Sequence, residues 1–157
     1  MRVTIAPRGI LQIDDAKLTY RNFTGVGSKF NREGDRNFAL IIPDEEIKNA
    51  IVAEGYNVKV KPPRDEDDTP FMYLPVKVKF NDHGPNVYLI TDGKRVKLDE
   101  ESICCLDRAY ILSADLDIRP YDWEVNGKEG RTAYLQSLRV FQQNTDRFAE
   151  EEYPDEF

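Results

Sequence analysis

Between Thr19 and Pro43 the chain has little choice but to form two strands around an open loop. Thr19 to Thr24 is rich in β-formers, Tyr20 and Phe23 among them. Gly25, Gly27 and Gly34 then interrupt any regular pattern, because glycine tolerates backbone angles that other residues avoid. Phe38 to Ile42 is an apolar run stopped by Pro43, which suits a buried strand. The loop between them is expected to be flexible and basic, with Lys29, Arg32 and Arg36 beside Phe30 and Asn31. Cations next to an aromatic ring can hold a phosphate backbone and stack a base. The same residues also fit an ordinary polar hairpin loop with Phe30 tucked under the sheet.

The rest of the chain reads as more short strands. Ile10 to Ile13 and Ala16 to Thr24 look like one long first strand, bulged or bent at Asp14-Asp15. Pro43-Asp44-Glu45-Glu46 opens a short helix, its acids placed where the helix dipole favours them, and Gly55 closes it. Tyr56 to Lys61 and Phe71 to Phe80 alternate like strands. Val87 to Thr91 and Arg95 to Leu98 form a hairpin across Asp92-Gly93, a favoured turn pair. A second short helix starts at Asp99-Glu100-Glu101 and ends near Leu106. Tyr110 to Ile118 and Arg131 to Gln142 are the last strands, separated by an expected loop, Arg119 to Gly130, with Asn126-Gly127 at its tip. Asp65-Glu66-Asp67-Asp68 reads as a solvated loop and not a metal site, since consecutive carboxylates cannot converge on one ion. The single histidine, His83, sits in a turn.

Many short strands, with a helix before the final pair, is the layout of an OB-fold. The fold expected is therefore mainly β: a five-stranded, partly open barrel with two short helices, spanning residues 1–145. A β-sandwich is the alternative. In the barrel reading, Gly25 to Arg36 joins the first two strands, Arg119 to Gly130 joins the last two, and both loops lie on one side. Asp44 to Lys61 is an added element.

Charge is distributed unevenly. The net charge is −7, yet Asp146 to Phe157 holds six acids and one base, leaving 21 bases against 23 acids in residues 1–145. A nearly neutral body can carry a basic face, and residues 146–157 read as a flexible acidic tail. No apolar run approaches the ~18 residues of a spanning helix, so a cytoplasmic location is expected and no membrane partner. Cys104 and Cys105 have no partners elsewhere and are expected to be small buried or half-buried residues in a reducing compartment.

The candidate binding residues follow. The first loop offers Lys29, Phe30, Arg32 and Arg36. The second offers Arg119, Tyr121, Trp123, Lys128 and Arg131, although alternation of Tyr121, Trp123 and Val125 equally fits a ring folded over the core. Lys59, Lys61, Lys77 and Lys79 alternate with valines and form a positive stripe if their strands are neighbours; otherwise they are the solvated face of half-buried strands. The tail, FAEEEYPDEF, places Glu150, Glu151, Glu152, Asp155 and Glu156 ahead of a terminal Phe157. It can lie in the protein's own cationic groove, or dock Phe157 and its carboxylate in a partner. No catalytic motif, cofactor or metal site is expected.

The acidic tail ending in Phe resembles that of phage and bacterial single-stranded DNA-binding proteins. The body is similar to small phage replication proteins of that class, through FTGVGSKFNREGDRNFALIIPDEE and PYDWEVNGKEGRTAYLQSL. The resemblance implies an OB-fold, sequence-independent binding of single strands, and recruitment of replication or recombination enzymes, such as a polymerase or helicase, through the tail. A homodimer is one assembly compatible with it. Host-cell cytoplasm is then the expected location. An acidic interaction protein, or a DNA-mimic inhibitor of a host nucleic-acid enzyme, is the alternative from another class.

Overall fold

The structure, a computed structural model, describes residues 1–143 apart from 64, 67 and 83. His83, Asp67 and the tail residues Glu150, Glu151, Glu152, Asp155, Glu156 and Phe157 lie outside the described residues. The strands in chain order are β1 (Arg2–Ile5), β2 (Leu11–Ala16), β3 (Leu18–Asn22), β4 (Arg36–Ile42), β5 (Lys59–Lys61), β6 (Phe71–Val78), β7 (Asn86–Thr91), β8 (Lys94–Leu98), β9 (Ile111–Val125) and β10 (Lys128–Gln142). Among the described residues one α-helix, α1 (Glu45–Ala53), follows β4.

All ten strands belong to one sheet, in the order β1-β2-β9-β10-β6-β4-β3, with β5 added to β6 and the β7–β8 hairpin added to β10. The expected long first strand is two strands. Asp15 takes φ +55, and the register against β9 shifts between Ile13 and Ala16. The chain turns there, so β2 pairs with β9 and β3 pairs with β4. Counted as one bent strand, β2–β3 runs along both margins of the curled sheet formed by β4, β6, β10 and β9. This is the partly open barrel expected from the sequence, not a sandwich of two sheets. The parallel pairing of β6 with β10 completes it.

Alternation fills the interior. Leu11 and Ile13, Phe38 and Leu40, Leu74 and Val76, Ile118, Leu135 and Leu138 are all buried. Phe23 stacks on Phe38 at 5.2 Å beneath the first loop. α1 starts at Asp44, whose carboxylate accepts from the Ile47 amide, and buries only Ile51. The expected second helix is a 3-10 turn, Ile103–Asp107. Its inward residues Ile103 and Leu106 are three apart, the 3-10 repeat. Cys104 and Cys105 are exposed rather than buried, because Ile103 and Leu106 take the inward positions. Asp107 ties this turn to the end of β3, accepting from Phe23 N at 2.6 Å and Thr24 N at 3.0 Å.

Two further corrections concern length. Strand pairing between Tyr56 and Lys61 is confined to β5, Lys59–Lys61. The expected loop Arg119 to Gly130 is instead strand, because β9 and β10 continue beyond the barrel as a hairpin arm. Only Asn126-Gly127 turns, at φ +52 and +79, the paired left-handed angles of a tight hairpin turn. The N-terminal strand β1 had no sequence signal among those considered.

Tyr56 anchors the loop after α1: it is buried, and its hydroxyl donates to Gly9 O at 2.7 Å. Burial pushes that phenol up to about 12. The folded protein holds this proton more tightly than the unfolded chain does. Its contribution is therefore intact below about pH 10 and is lost as pH rises from there through the folded value. Tyr56→Phe should cost about 1 kcal/mol near neutrality. It should also flatten the loss of stability toward alkaline pH, measured by urea unfolding across that window.

Candidate nucleic-acid interface

The pleat that buries one set of side chains turns the other set outward. On the outer face, Arg119 of β9 lies opposite Tyr134 of β10, Tyr134 opposite Lys77 of β6, and Lys77 opposite Asn37 of β4. Four strands thus contribute one row: cation, aromatic, cation, amide. The Arg119 guanidinium stands 5.0 Å from the Tyr134 ring centroid. Tyr121 meets the same ring edge-on at 5.8 Å.

One end of this row opens into a groove of about 670 Å³. Its walls include Phe30, Arg32, Arg36, Lys77, Lys79, Phe80 and Tyr134. Lys77, Lys79 and Arg32 are exposed and have no ion-pair partner among the described residues. Arg36 serves a different purpose. It donates to Phe23 O at 3.0 Å, pairs with Glu100 at 3.3 Å and lies over Phe80, so it braces the groove floor.

The polar side chains of the first loop tie it together. Asn22 Oδ1 accepts from Gly25 N and Val26 N. Asn31 Nδ2 donates to the carbonyls of Val26, Arg32 and Asp35. Glu33 accepts from Gly27 N, and Gly34 N donates to Gly25 O. Gly25, at φ +79, runs so close to Gly34 that a Cβ there would sit 3.1 Å from its carbonyl carbon. Phe30, at the tip, is 92% exposed, with Lys29 Nζ 5.7 Å from its ring. The ring does not tuck under the sheet; nothing in the core receives it.

On the hairpin arm, Arg119, Tyr121 and Trp123 share the outer face by alternation. Trp123 is neither core nor free. Its ring covers Gly130, its Nε1 donates to Thr132 Oγ1 at 3.1 Å, and it remains 40% exposed. Lys128 is exposed beside the arm's turn. Arg131 is on the reverse face, outside the groove. It chelates Asp122 at 2.7 and 3.1 Å and donates to Glu54 O, at the end of α1. These hydrogen bonds hold the Asp122 carboxyl below the usual carboxylate range.

The four strand lysines do not form one stripe. β5 is indeed a neighbour of β6, but the antiparallel register sets Lys59 opposite Tyr73 and Lys61 opposite Phe71. Lys77 and Lys79 lie toward the other end of β6, at the groove. Sequence reasoning missed Tyr134, Phe80 and Asn37. Tyr134 carried a signal: it is out of phase with the buried Ala133 and Leu135 on either side.

A side chain at position 130 would collide with the Trp123 ring. Gly130→Ala should therefore lift the indole, break its bond to Thr132 at a cost of about 1 kcal/mol, and shift the emission of this sole tryptophan to the red. Unchanged emission would mean that the ring does not rest on Gly130.

A family model described as "Putative phage ssDNA-binding domain" matches residues 2–155. No curated protein sequence matches. Among solved structures, the chain is similar to the single-stranded DNA-binding protein from bacteriophage Enc34, at 14% identity and TM-score 0.59, covering 98% of this chain and 94% of that one. It is also similar to the structure of the Enc34 protein in complex with ssDNA, at 16% identity and TM-score 0.57, covering 90% and 91%. At these identities the structural likeness speaks for the fold, and it agrees with the curled sheet described above. Matched by that family over nearly its whole length, the chain belongs to the phage single-stranded DNA-binding domain family.

Proposed function

We propose that the protein binds single-stranded DNA without sequence preference, in phage DNA replication or recombination. The observation that carries this is the in-register row Arg119–Tyr134–Lys77, opening into the groove under Phe30. Aromatic faces accept any base, since every base has a π-face, and cations beside them track phosphates. Tyr134, Tyr121 and Phe30 would take bases. Arg119, Lys77, Lys79 and Arg32 would take phosphates. The family description and the single-stranded DNA held by the Enc34 protein support this reading. On this reading the protein is a binding protein, not an enzyme, and it works in the host-cell cytoplasm.

Titration with oligo(dT) at two salt concentrations tests it. For single strands log K falls against log salt with a slope of about −0.7 per phosphate neutralised. Lys77→Ala should therefore flatten the slope by about 0.7. Tyr134→Ala should weaken binding by about 1–3 kcal/mol while leaving the slope alone. Absence of binding at low salt would defeat the proposal.

The acidic segment Asp146 to Phe157 is proposed to have two roles: competing with DNA for the cationic face, and presenting Phe157 to a replication enzyme such as a polymerase or helicase. Its charge of −5 supports the first role and its terminal aromatic the second. Tethering gives it a local concentration in roughly the millimolar range. Deleting the tail should tighten DNA binding most at low salt, where competition is least screened, and abolish partner binding. Phe157→Ala should spare DNA affinity while partner binding falls. DNA affinity unchanged by truncation at low salt would show that the tail does not visit the groove.

A further inference from the structure

A second group of aromatic rings lies on the same outer face, outside the groove. Tyr20 of β3 meets Tyr73 of β6 edge-on at 5.4 Å and Phe71 at 6.1 Å, and Phe71 and Tyr73 are 5.6 Å apart. Lys61 of β5 lies 4.8 Å from the centre of the Tyr20 ring and donates to its hydroxyl at 2.6 Å. Lys59, exposed, stands opposite Tyr73 in register.

Two independent features set this group apart from cross-strand packing. Tyr20 remains 51% exposed, so the core does not use its ring. It also sits at φ +47, in the left-handed region that glycine and asparagine occupy more readily than tyrosine. An asparagine would make the same backbone bend with less strain. Strain held at an exposed residue is a pointer to a site. The group is also continuous with the groove. Tyr73 and Lys77 are on one face of β6, four residues or about 13 Å apart. Between them lies exposed Pro75, itself a wall of the groove, with the buried Ala39 opposite it.

We propose that Tyr20, Phe71 and Tyr73, with Lys59 and Lys61, form a second stacking station for the same DNA strand. A strand engages it only when long enough to extend beyond the Tyr134–Lys77 row. The inference rests on the reading of the groove as a single-stranded DNA site. It gives β5, an addition to the five-strand barrel, a role: it brings two lysines alongside the exposed Tyr20 and the half-buried Phe71 and Tyr73, where a phosphate and a base from one nucleotide can be met together.

The test uses the full chain and oligo(dT) of about four and about sixteen nucleotides, the range of site sizes of such folds. Tyr20→Asn removes the ring yet tolerates the left-handed backbone, so the variant should still unfold in one cooperative transition well above the assay temperature. Its affinity for the long oligonucleotide should drop about tenfold, the scale of one lost base stack. Its affinity for the short one should be unchanged, whereas Tyr134→Ala should weaken both. Lys59→Ala should flatten the salt slope with the long oligonucleotide only. If Tyr20→Asn leaves long-oligonucleotide affinity intact, or weakens both lengths equally, the second station is overturned while the groove stands. If the unmodified protein binds neither length, the groove reading fails as well.

Discussion

The architecture depends on a bend of three residues. At Asp15 the backbone takes φ +55, and at Lys17 the chain changes partners. Hydrogen bonds to β9 and β4 hold the bend from both sides. Asp15 N donates to the Asp115 carboxylate on β9, Ile41 N of β4 donates to Lys17 O, and the Lys17 ammonium reaches Leu112 O. One chain segment thereby serves both margins of the curled sheet. The curl this imposes makes an inside, filled by Leu11, Ile13, Phe38 and Leu40, and an outside that faces solvent. Every residue assigned to the interface is placed by that distinction.

The hairpin arm obeys the same pleat without the same burial. Beyond Ile118 neither face of β9 meets the core, so its side chains are free to specialise. One face carries Arg119, Tyr121 and Trp123. The other carries Asp122, which with Arg131 of β10 fastens the arm to the end of α1 through Glu54 O. Arg131 is thus a positioning residue: it orients the arm that holds the rings.

The loop of Phe30 shows how a polar segment can still be pre-organised. Asn22 and Asn31 satisfy backbone groups that would otherwise turn to water, and the glycines allow the close approach that makes this possible. Ordering the loop before a ligand arrives removes part of the entropic cost of binding. An aromatic ring 92% exposed on such a support is available for stacking without a prior rearrangement.

The sequence alone determined the strands around Gly25 to Arg36, the opening of α1 at Asp44 to Glu46, the Asp92-Gly93 turn and the barrel class. These are local matters of side-chain alternation, capping and left-handed turn residues. It also singled out Phe30, Arg32, Lys77, Lys79, Arg119 and Tyr121, since cations beside rings are visible in one dimension. Only the tertiary structure decided which of them share a site. Register placed Lys77 beside Tyr134 and set Lys59 and Lys61 against Tyr73 and Phe71, four and six residues back along β6. The ion pairs of Arg36 with Glu100 and Arg131 with Asp122 join residues distant in the chain or on the reverse face, so no local pattern announces them. Whether Arg119 to Gly130 was loop or strand turned on a partner strand supplied by the chain beyond it. Pairing is a property of two segments, and periodicity reads only one.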